Sequence, residues 1–151
     1  MPAKRTEPKA PPPDHIPQLM TRVLAGLNSF GGRDLAALGL NTQSARTLVT
    51  LLEHGPMRVS LLADLVGLEP TGLSHLMRML DQRGLMERER DDADHRAVIA
   101  RLTTPGRALA RKCSDIQARH EAALLQDLSK DETDRLRHAL NKLIGTLAEV
   151  E

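Results

Sequence analysis

Apolar residues recur every three or four positions along most of the chain, the spacing at which side chains share one face of an α-helix. The first run predicts an amphipathic helix for which Asp14 is a candidate cap and which the Gly31-Gly32 pair ends or kinks. Three shorter helices follow, each with one apolar stripe. Asn41-Thr42 is a start signal for the first, and Gly67 ends the second. The stripe residues are Ala45, Leu48, Val49 and Leu52, then Val59, Leu62, Ala63 and Val66, then Leu73, Leu76, Met77 and Leu80. Three such stripes can converge on one small core.

The period of the apolar positions changes after the third short helix. The second and third helices are separated only by residues 67–69, which favours a helix-turn-helix. Beyond Gly84, residues 85–90 and 97–102 predict two short strands joined by a polar loop. Three helices followed by a hairpin form the winged-helix arrangement. The predicted fold class is mainly α with a small β-hairpin wing, a winged helix-turn-helix with long terminal helices.

Two long helices are predicted at the C-terminal end. Thr104-Pro105 predicts the start of the first, as a capping hydroxyl followed by proline. Ser129 and Glu132 predict a capping box for the second. Its apolar residues repeat close to a coiled-coil seam and are Leu136, Leu140, Leu143, Leu147 and Val150. The small winged core cannot bury these stripes and the N-terminal one as well, so we expect a homodimer in which the terminal helices pack against a second copy.

Composition indicates where in the cell the protein acts and whether it associates with a membrane. Cys113 is the only cysteine, so no internal disulfide can form, and a reducing cytoplasm is the natural setting. No apolar run is long enough to cross a bilayer, and residues 1–13 lack the apolar core of a signal peptide. We therefore expect a cytoplasmic protein with no membrane partner.

Charge and aromatic content bear on nucleic-acid binding. The net charge is only +1, and the span 56–102 has seven arginines against eight acidic residues, a net charge of −1. A DNA-binding domain with this balance must gather its positive charge on one face. Phe30 is the only aromatic residue, which argues against single-stranded targets, because proteins that bind them stack bases on aromatic rings.

Four segments, in order along about residues 16–150, resemble the MarR (multiple antibiotic resistance regulator) family. They are Gly39-Leu40-Asn41-Thr42-Gln43, Leu62-Ala63-Asp64-Leu65-Val66, Leu80…Arg83-Gly84-Leu85 and, most specifically, Asp94-His95-Arg96…Leu102-Thr103…Gly106. The resemblance implies a transcriptional regulator, a triangular dimer whose two winged-helix lobes bind a pseudo-palindromic operator in double-stranded DNA. It favours a repressor, and the choice between repression and activation stays open.

The resemblance and the periodicity together divide the chain into four parts. Residues 1–13, with five prolines and no apolar period, are predicted to be a disordered arm. Residues 14–38 are the predicted N-terminal dimerisation helix, and 39–104 the winged helix-turn-helix DNA-binding domain. Residues 105–151 are the predicted C-terminal dimerisation helices.

The helix Pro70–Gln82 is the predicted recognition helix. Its apolar stripe faces inward, so the opposite face carries the candidate DNA contacts Thr71, Gly72, Ser74, His75 and Arg78. The two hydroxyls can meet base edges or phosphates, and the histidine and arginine can donate to purine N7 and O6 in the major groove. The glycine allows a close approach. An ordinary solvated helix face is the alternative explanation for these residues.

The loop between the two predicted strands is the wing. In the family an Asp-x-Arg pair steadies the hairpin while a basic tip enters the minor groove; Asp94 and Arg96 match this pair. His95 stands where relatives often have arginine, and histidine can also enter a narrow groove. Arg58 and Ser60, near the start of the helix before the recognition helix, are candidate phosphate contacts, and capping or solvation explains them equally well.

The resemblance also implies a small-molecule effector, often a phenolic or aromatic anion, that binds between the dimer helices and the DNA-reading head. The residues on segments bordering that region are Arg22, Arg46, His54 and Met77. No spacing among them singles out a pocket. A redox-responsive regulator acting through Cys113 is an alternative, but this cysteine lies on an apolar stripe, which favours a packed thiol.

Other function classes find less support. A winged-helix module that binds a protein instead of DNA would explain the missing basic excess, whereas His75, Arg78 and Arg96 favour DNA. No Gly-rich phosphate loop, nucleophile elbow or paired-carboxylate motif occurs, so we do not expect an enzyme. The six histidines lack metal-ligand spacing, and we expect no metal and no cofactor.

Overall fold

The computed structural model describes residues 15–94 and 96–149, without the side chain of Phe30. The elements in chain order are α1 (Ile16–Ala37), α2 (Thr42–His54), β1 (Met57–Arg58), α3 (Val59–Val66), α4 (Pro70–Gln82), β2 (Met86–Arg90), β3 (Val98–Leu102), α5 (Thr104–Leu125) and α6 (Lys130–Ala148). The predicted fold class is confirmed: the chain is mainly α with a small antiparallel sheet. The predicted disordered arm, the Asp14 cap, His95 and Val150 lie outside the described residues.

Several helix ends have the local chemistry that the sequence predicted. Asn41 caps α2, its Oδ1 accepting from the backbone N–H of Ser44 at 2.8 Å. Ser129 and Glu132 form the capping box of α6: the Ser129 N–H donates to Glu132 Oε2 at 2.9 Å, and the Glu132 N–H donates to Ser129 Oγ at 3.3 Å. The hydrogen bonds from Ser129 hold the pKa of Glu132 below its ordinary value. Gly67, with a φ of 67°, ends α3 in the left-handed conformation that favours glycine.

Gly31-Gly32 were expected to end or kink α1, and the first of these alternatives is wrong, because the helix continues through both glycines to Ala37. Gly31 is buried, and a Cβ there would lie 2.9 Å from Nδ1 of His120 on α5. The glycine therefore permits a close approach of two helices. This contact connects residues far apart in sequence, so a local stop signal was the wrong interpretation.

The start of α5 also differs by one residue from the prediction. The capping hydroxyl belongs to Thr103, whose Oγ1 accepts from the backbone N–H of Gly106 at 3.1 Å. Thr104 is already the first helical residue, and Pro105 follows within the first turn. The predicted combination of a hydroxyl cap and a proline is present, with Thr103 in place of Thr104 as the cap.

The sheet contains a strand that the sequence did not predict. Strand β1 pairs with β3, Met57 opposite Ala100 and Arg58 opposite Ile99, giving the order β1-β3-β2. Two residues are too few to show an alternation of apolar and polar positions. The two predicted strands are present and antiparallel, each beginning one residue later than expected.

The core lies where α2, α3, α4 and α5 meet the sheet. Ten of the twelve predicted stripe residues of α2, α3 and α4 are buried, and Leu52 and Val59 are partly buried against them. Cys113 and Ile116 of α5 complete this core. Because the apolar stripe of α4 is buried in this core, the opposite face of α4 points outward. Among the described residues, no helix combines the length and the apolar character that crossing a lipid bilayer requires.

Helices α1 and α6 leave large apolar side chains exposed. Helix α6 has no buried residue at all within its described length. Its exposed apolar residues are Leu136, Leu140, Leu143, Ile144 and Leu147. Those of α1 are Ile16, Met20, Val23 and Leu24. Both stripes are therefore without a cover in a single subunit.

Candidate nucleic-acid interface

The outer face of α4 lies opposite a fully buried stripe. Leu73 and Leu80 on the inner face are 0% exposed. The five predicted contacts are all exposed: Thr71, Gly72, Ser74, His75 and Arg78. Within the described residues, their side chains make no hydrogen bond and no ion pair. The donors and acceptors of this face are therefore available to a ligand.

A tight turn positions α4 against α3. The N–H of Gly67 donates to Asp64 O at 3.3 Å, and the N–H of Leu68 donates to Ala63 O at 3.1 Å, which satisfies carbonyls at the end of α3. Pro70 then occupies the first position of α4, where a missing N–H costs nothing. Two helices joined by so short a connection form the predicted helix-turn-helix.

The wing loop is organised around Asp91. Its N–H donates to Ala97 O at 3.0 Å, closing the hairpin, and its Oδ1 accepts from the N–H of Ala93 at 3.0 Å. Its Oδ2 accepts from Nη2 of Arg58 at 3.0 Å. The hydrogen bond from Ala93 and the Arg58 guanidinium hold the pKa of Asp91 below its ordinary value. Asp91 therefore links the wing to β1.

The predicted Asp94–Arg96 pair is joined through the backbone. Asp94 Oδ1 accepts from the N–H of Arg96 at 3.2 Å, and Asp94 O accepts from the N–H of Ala97 at 2.8 Å. Asp94 Oδ2 lies 3.9 Å from Nη1 of Arg58. The Arg96 side chain is exposed and has no ion pair among the described residues. The guanidinium nearest the Asp94 carboxylate is thus that of Arg58, and Arg96 is left for another partner.

The two candidate phosphate contacts differ in their surroundings. Arg58 is engaged with the carboxylates of Asp91 and Asp94, although half of its side chain is exposed. Ser60 is exposed in the first turn of α3, and no side chain caps this helix. Among the described residues, no side-chain cap therefore competes with an anion for the first-turn N–H groups of α3.

Ion pairs engage two arginines and two carboxylates of α4 and the hairpin. Arg88 pairs with Asp81 at 3.0 Å, and Arg101 pairs with Glu89. Three arginines of α4 and the hairpin have no such pair within the part of the chain that is described: Arg78, Arg90 and Arg96. These three guanidinium groups are therefore available to phosphate, although the net charge of the domain is unchanged by the ion pairs.

A hydrogen-bonded junction ties the end of β3 to the turn after α4. Thr103 Oγ1 donates to Gly84 O at 2.7 Å, and the Thr103 N–H donates to Leu85 O at 3.2 Å. A Cβ on Gly106 would stand 1.8 Å from Leu85 O. These contacts explain the Leu102-Thr103…Gly106 motif, whose structural role the sequence alone did not reveal.

Arg83, directly after α4, makes contacts that the sequence did not predict. Its Nη1 donates to Gly39 O at 2.6 Å and its Nη2 to Leu38 O at 3.3 Å. Both carbonyls follow the end of α1. The only signal in the sequence was the presence of Arg83 and Gly39 in two segments of family resemblance.

The four residues predicted to border an effector pocket have different environments. Arg22 on α1 and His54 at the end of α2 are exposed, and Arg46 on α2 is exposed with its Nη1 donating to Val66 O at 3.2 Å. Met77 is 1% exposed, inside the core.

Two clefts lie along α1 and α5. An apolar cleft of about 350 Å³ is lined by Val23, Gly26, Leu27, Ala123 and Leu124. A more open one of about 630 Å³ is lined by charged and apolar side chains that include Asp34, Lys112, Asp115 and Arg119. None of the four predicted pocket residues lines either cleft.

Cys113 is 0% exposed, and burial raises the pKa of its thiol. A protonated, inaccessible thiol is a poor nucleophile, as expected of a packed side chain. Among the described residues, His, Cys, Asp and Glu side chains form no group that resembles a metal site.

A helix-turn-helix with an exposed polar second helix and an adjacent hairpin defines a winged-helix DNA-binding protein. Sequence comparisons agree with this class. A sequence model described as "MarR family" matches residues 40–98. The organic hydroperoxide resistance transcriptional regulator of Bacillus subtilis is 30% identical over 100 residues, covering 66% of this chain and 67% of that protein. The uncharacterized HTH-type transcriptional regulator YkoM of the same organism is 27% identical over 125 residues, 83% of this chain and 81% of that protein.

Comparisons of structure agree as well. A MarR family regulator from Silicibacter pomeroyi superposes with a TM-score of 0.78 at 26% identity, covering 87% of this chain and 89% of that one. A mutant MarR from E. coli, crystallised in complex with operator DNA, has the same fold, with a TM-score of 0.74 at 22% identity over 85% of this chain and 94% of that one. The chain therefore belongs to the MarR family of DNA-binding transcriptional regulators, a family of regulators and not of enzymes.

Proposed function

We propose that the protein is a homodimeric repressor that binds a pseudo-palindromic operator, with α4 of each subunit in the major groove. The observation that carries this proposal is the outer face of α4, exposed along its length and without internal partners for its polar side chains among the described residues. A recognition helix needs such a face, because base edges are read by hydrogen bonds that the protein must not already have satisfied.

The roles on α4 follow from donor and acceptor chemistry. Arg78 would donate to O6 and N7 of a guanine, and His75 to a purine N7. Thr71 and Ser74, in the first turns, would reach base edges or phosphates through their hydroxyls. Gly72 has no side chain and would let the start of the helix approach the groove closely.

The wing would contact the minor groove through Arg96, with His95 beside it. The exposed Arg96 guanidinium and its lack of an ion pair among the described residues support this role, because a narrow minor groove attracts arginine. Asp94 would shape the loop through its hydrogen bond to the Arg96 backbone. Ser60 and the open N-terminus of α3 would hold a phosphate, and Arg58 would act mainly by supporting the wing.

The homodimer is supported by the uncovered apolar stripes of α1 and α6. A helix with no fully buried residue gains little from packing within its own subunit, and helical stability in proteins comes mostly from such packing. Exposed apolar stripes of this kind are typical of an interface. A second copy would cover it and place the two recognition helices on one face of the DNA.

Relief by a small molecule is proposed from the family, with an aromatic or phenolic anion as the expected effector. Arg22, Arg46 and His54 are exposed, and the two arginines would supply positive charge near such a ligand. Met77 is buried in this structure and has almost no exposed surface with which to contact a ligand. A regulator of this kind would act in the cytoplasm, where the single Cys113 stays reduced.

Binding of the purified protein to the region upstream of its own gene tests the proposal. An unrelated duplex of equal length is the control, and both are measured by fluorescence anisotropy at two salt concentrations. We expect binding to the upstream duplex at least about a thousandfold tighter than to the unrelated one, weakening steeply with salt. Equal, salt-insensitive binding to both duplexes would contradict the proposal and favour a winged-helix module that binds protein.

A further inference from the structure

The guanidinium of Arg83 joins the end of α4 to the end of α1. Arg83 is the first residue after α4, and its two nitrogens reach the carbonyls of Leu38 and Gly39, the first two residues after α1, at 3.3 and 2.6 Å. Forty-four residues separate Arg83 from Gly39 along the chain. One side chain thus connects the candidate recognition helix with the candidate dimerisation helix.

Both ends of this connection are themselves well ordered by the backbone. On the acceptor side, Gly39 N–H donates to Ala36 O at 2.9 Å and Leu40 N–H to Leu35 O at 3.0 Å. On the donor side, the N–H groups after Arg83 bond in the same way to the last turn of α4, at 2.8 and 3.0 Å. The guanidinium therefore bridges two rigid helix ends and does not merely cover a loose loop.

The residue types suit the connection. Arginine presents several N–H donors in a planar fork, so it can hold two adjacent carbonyls at once, whereas lysine is a point charge. A cation at the end of α1 is also favoured by the helix dipole. Gly39 has a φ of 67°, and a Cβ there would stand 3.4 Å from Nη2 of Arg83, so a side chain would crowd the guanidinium.

We propose that Arg83 is a positioning residue that fixes the angle of α4 relative to the dimerisation helices and thereby sets the half-site spacing that the dimer accepts. This inference rests on the proposed function. Two recognition helices must reach successive major grooves about 34–36 Å apart, so a small change in the angle of α4 alters which spacing fits. Arg83 acts without touching DNA: its guanidinium is occupied by carbonyls, and it lies beyond the C-terminal end of α4, whereas base contacts come from the N-terminal part of a recognition helix.

The experiment measures how sharply the protein depends on operator spacing. A duplex with two half-sites is selected from a random library by the wild-type protein, and one or two base pairs are then added to or removed from its centre. Affinities are measured for the wild type, Arg83→Gln, Arg83→Lys and the control Arg88→Gln. Arg88 lies close to the same end of α4 but pairs with Asp81 and makes no described hydrogen bond to α1.

We expect Arg83→Gln to lose about tenfold in affinity on the selected duplex, about 1.4 kcal/mol, and less than about twofold on the altered spacings. Its spacing profile is therefore flatter than that of the wild type. Arg83→Lys restores the profile in part, because one ammonium can hold only part of the carbonyl pair. Arg88→Gln keeps the wild-type profile. The ratio between spacings does not depend on the active fraction, so a partly misfolded variant still gives a valid result.

An Arg83→Gln profile as sharp as that of the wild type would overturn the inference. If affinity then fell equally at every spacing and the salt slope fell by about one unit, Arg83 would instead be a phosphate contact. A wild-type protein that selects no paired half-sites would instead contradict the proposed function itself, and the inference with it.

Discussion

Gly106, in the first turn of α5, lies so close to Leu85 that a Cβ at this position would stand 1.8 Å from the Leu85 carbonyl oxygen. The opposing atom is backbone, and it also accepts a hydrogen bond from the N–H of Thr103 at 3.2 Å. The glycine is thus required by packing, and its backbone is ordinary helix.

Gly106→Ala is expected to lower the free energy of unfolding by about 3 kcal/mol, because the junction between the wing and α4 must open to admit a methyl group. Urea unfolding followed by circular dichroism measures the change. The matched control is Gly32→Ala, since a Cβ at Gly32 meets no atom within 4 Å and alanine favours a helix interior. Equal stabilities of the two variants would contradict the packing argument.

Arg78→Ala is expected to weaken binding to the selected operator by about 5- to 150-fold, corresponding to about 1–3 kcal/mol, through loss of a bidentate contact with guanine. Discrimination at one base pair of each half-site should disappear with it. Competition with operators substituted at single positions measures both effects. Arg107→Ala, an exposed arginine of α5, is the control. If the base preference of Arg78→Ala were unchanged, Arg78 would not be a base contact.

The link between Arg58 and Asp91 predicts coupling in a double-mutant cycle. Arg58→Ala and Asp91→Asn should each weaken operator binding about three- to tenfold, and the double variant should be no worse than the more damaging single one, because both changes release the wing. Anisotropy titrations give the four affinities. If Arg58 were instead a phosphate contact, Asp91→Asn would bind as well as the wild type and only Arg58→Ala would reduce the salt slope.

The ionisation of Asp91 offers a check that needs no DNA. The hydrogen bond from Ala93 and the charge of Arg58 favour the carboxylate, so the pKa is lowered in the folded protein. The resulting stabilisation of the wing is present above the unfolded-state pKa and is lost as the pH falls through the folded value. Carboxyl NMR titration should give a pKa below the ordinary value of 3.8.

The Arg58→Gln variant should raise the pKa of Asp91 only part of the way to its ordinary value, since the larger cause is the backbone N–H of Ala93. Arg88→Gln, which removes an arginine paired with a different carboxylate, should leave it unchanged. A wild-type pKa at or above the ordinary value would mean that the loop does not adopt this arrangement in solution.

Substitution on the α6 stripe tests the proposed dimer. Leu140→Asp is expected to raise the dissociation constant at least about a hundredfold, because symmetry repeats the loss of a buried leucine in both subunits. Sedimentation equilibrium measures the change. Asn141→Asp adds a carboxylate at an exposed polar position of the same helix and serves as the control. A wild-type protein that sediments as a monomer, or a Leu140→Asp dimer as tight as the wild type, would contradict the proposal.

The periodic pattern predicted those parts of the fold that depend on neighbours within one turn or one strand. The stripes of α2, α3 and α4 are buried as expected, and the caps at Asn41 and Ser129 are in place. Strand β1 was missed because two residues carry no period. The close packing of Gly31 against the His120 ring could not be predicted, because His120 lies on α5, far away along the chain.

In the candidate site, too, features set within one helix could be predicted from the sequence, whereas contacts between distant residues could not. Exposure of the outer face of α4 followed from its own stripe, since the two faces of one helix are linked by geometry. The partners of Arg58 and Arg83 did not follow, because they lie 33 and 44 residues away along the chain. For Arg58 the sequence consequently left a phosphate contact and capping or solvation equally open, without its link to Asp91, and Arg83 received no role.

Helix α6 has no buried residue in its described length, and assembly through this helix, as proposed, would make the abundance of the working regulator depend nonlinearly on gene expression. With a second copy as its cover, mass action governs assembly, and while single subunits predominate a doubling of the chain raises the paired form roughly fourfold. Small changes in synthesis would then be amplified at the promoter, before any effector is bound.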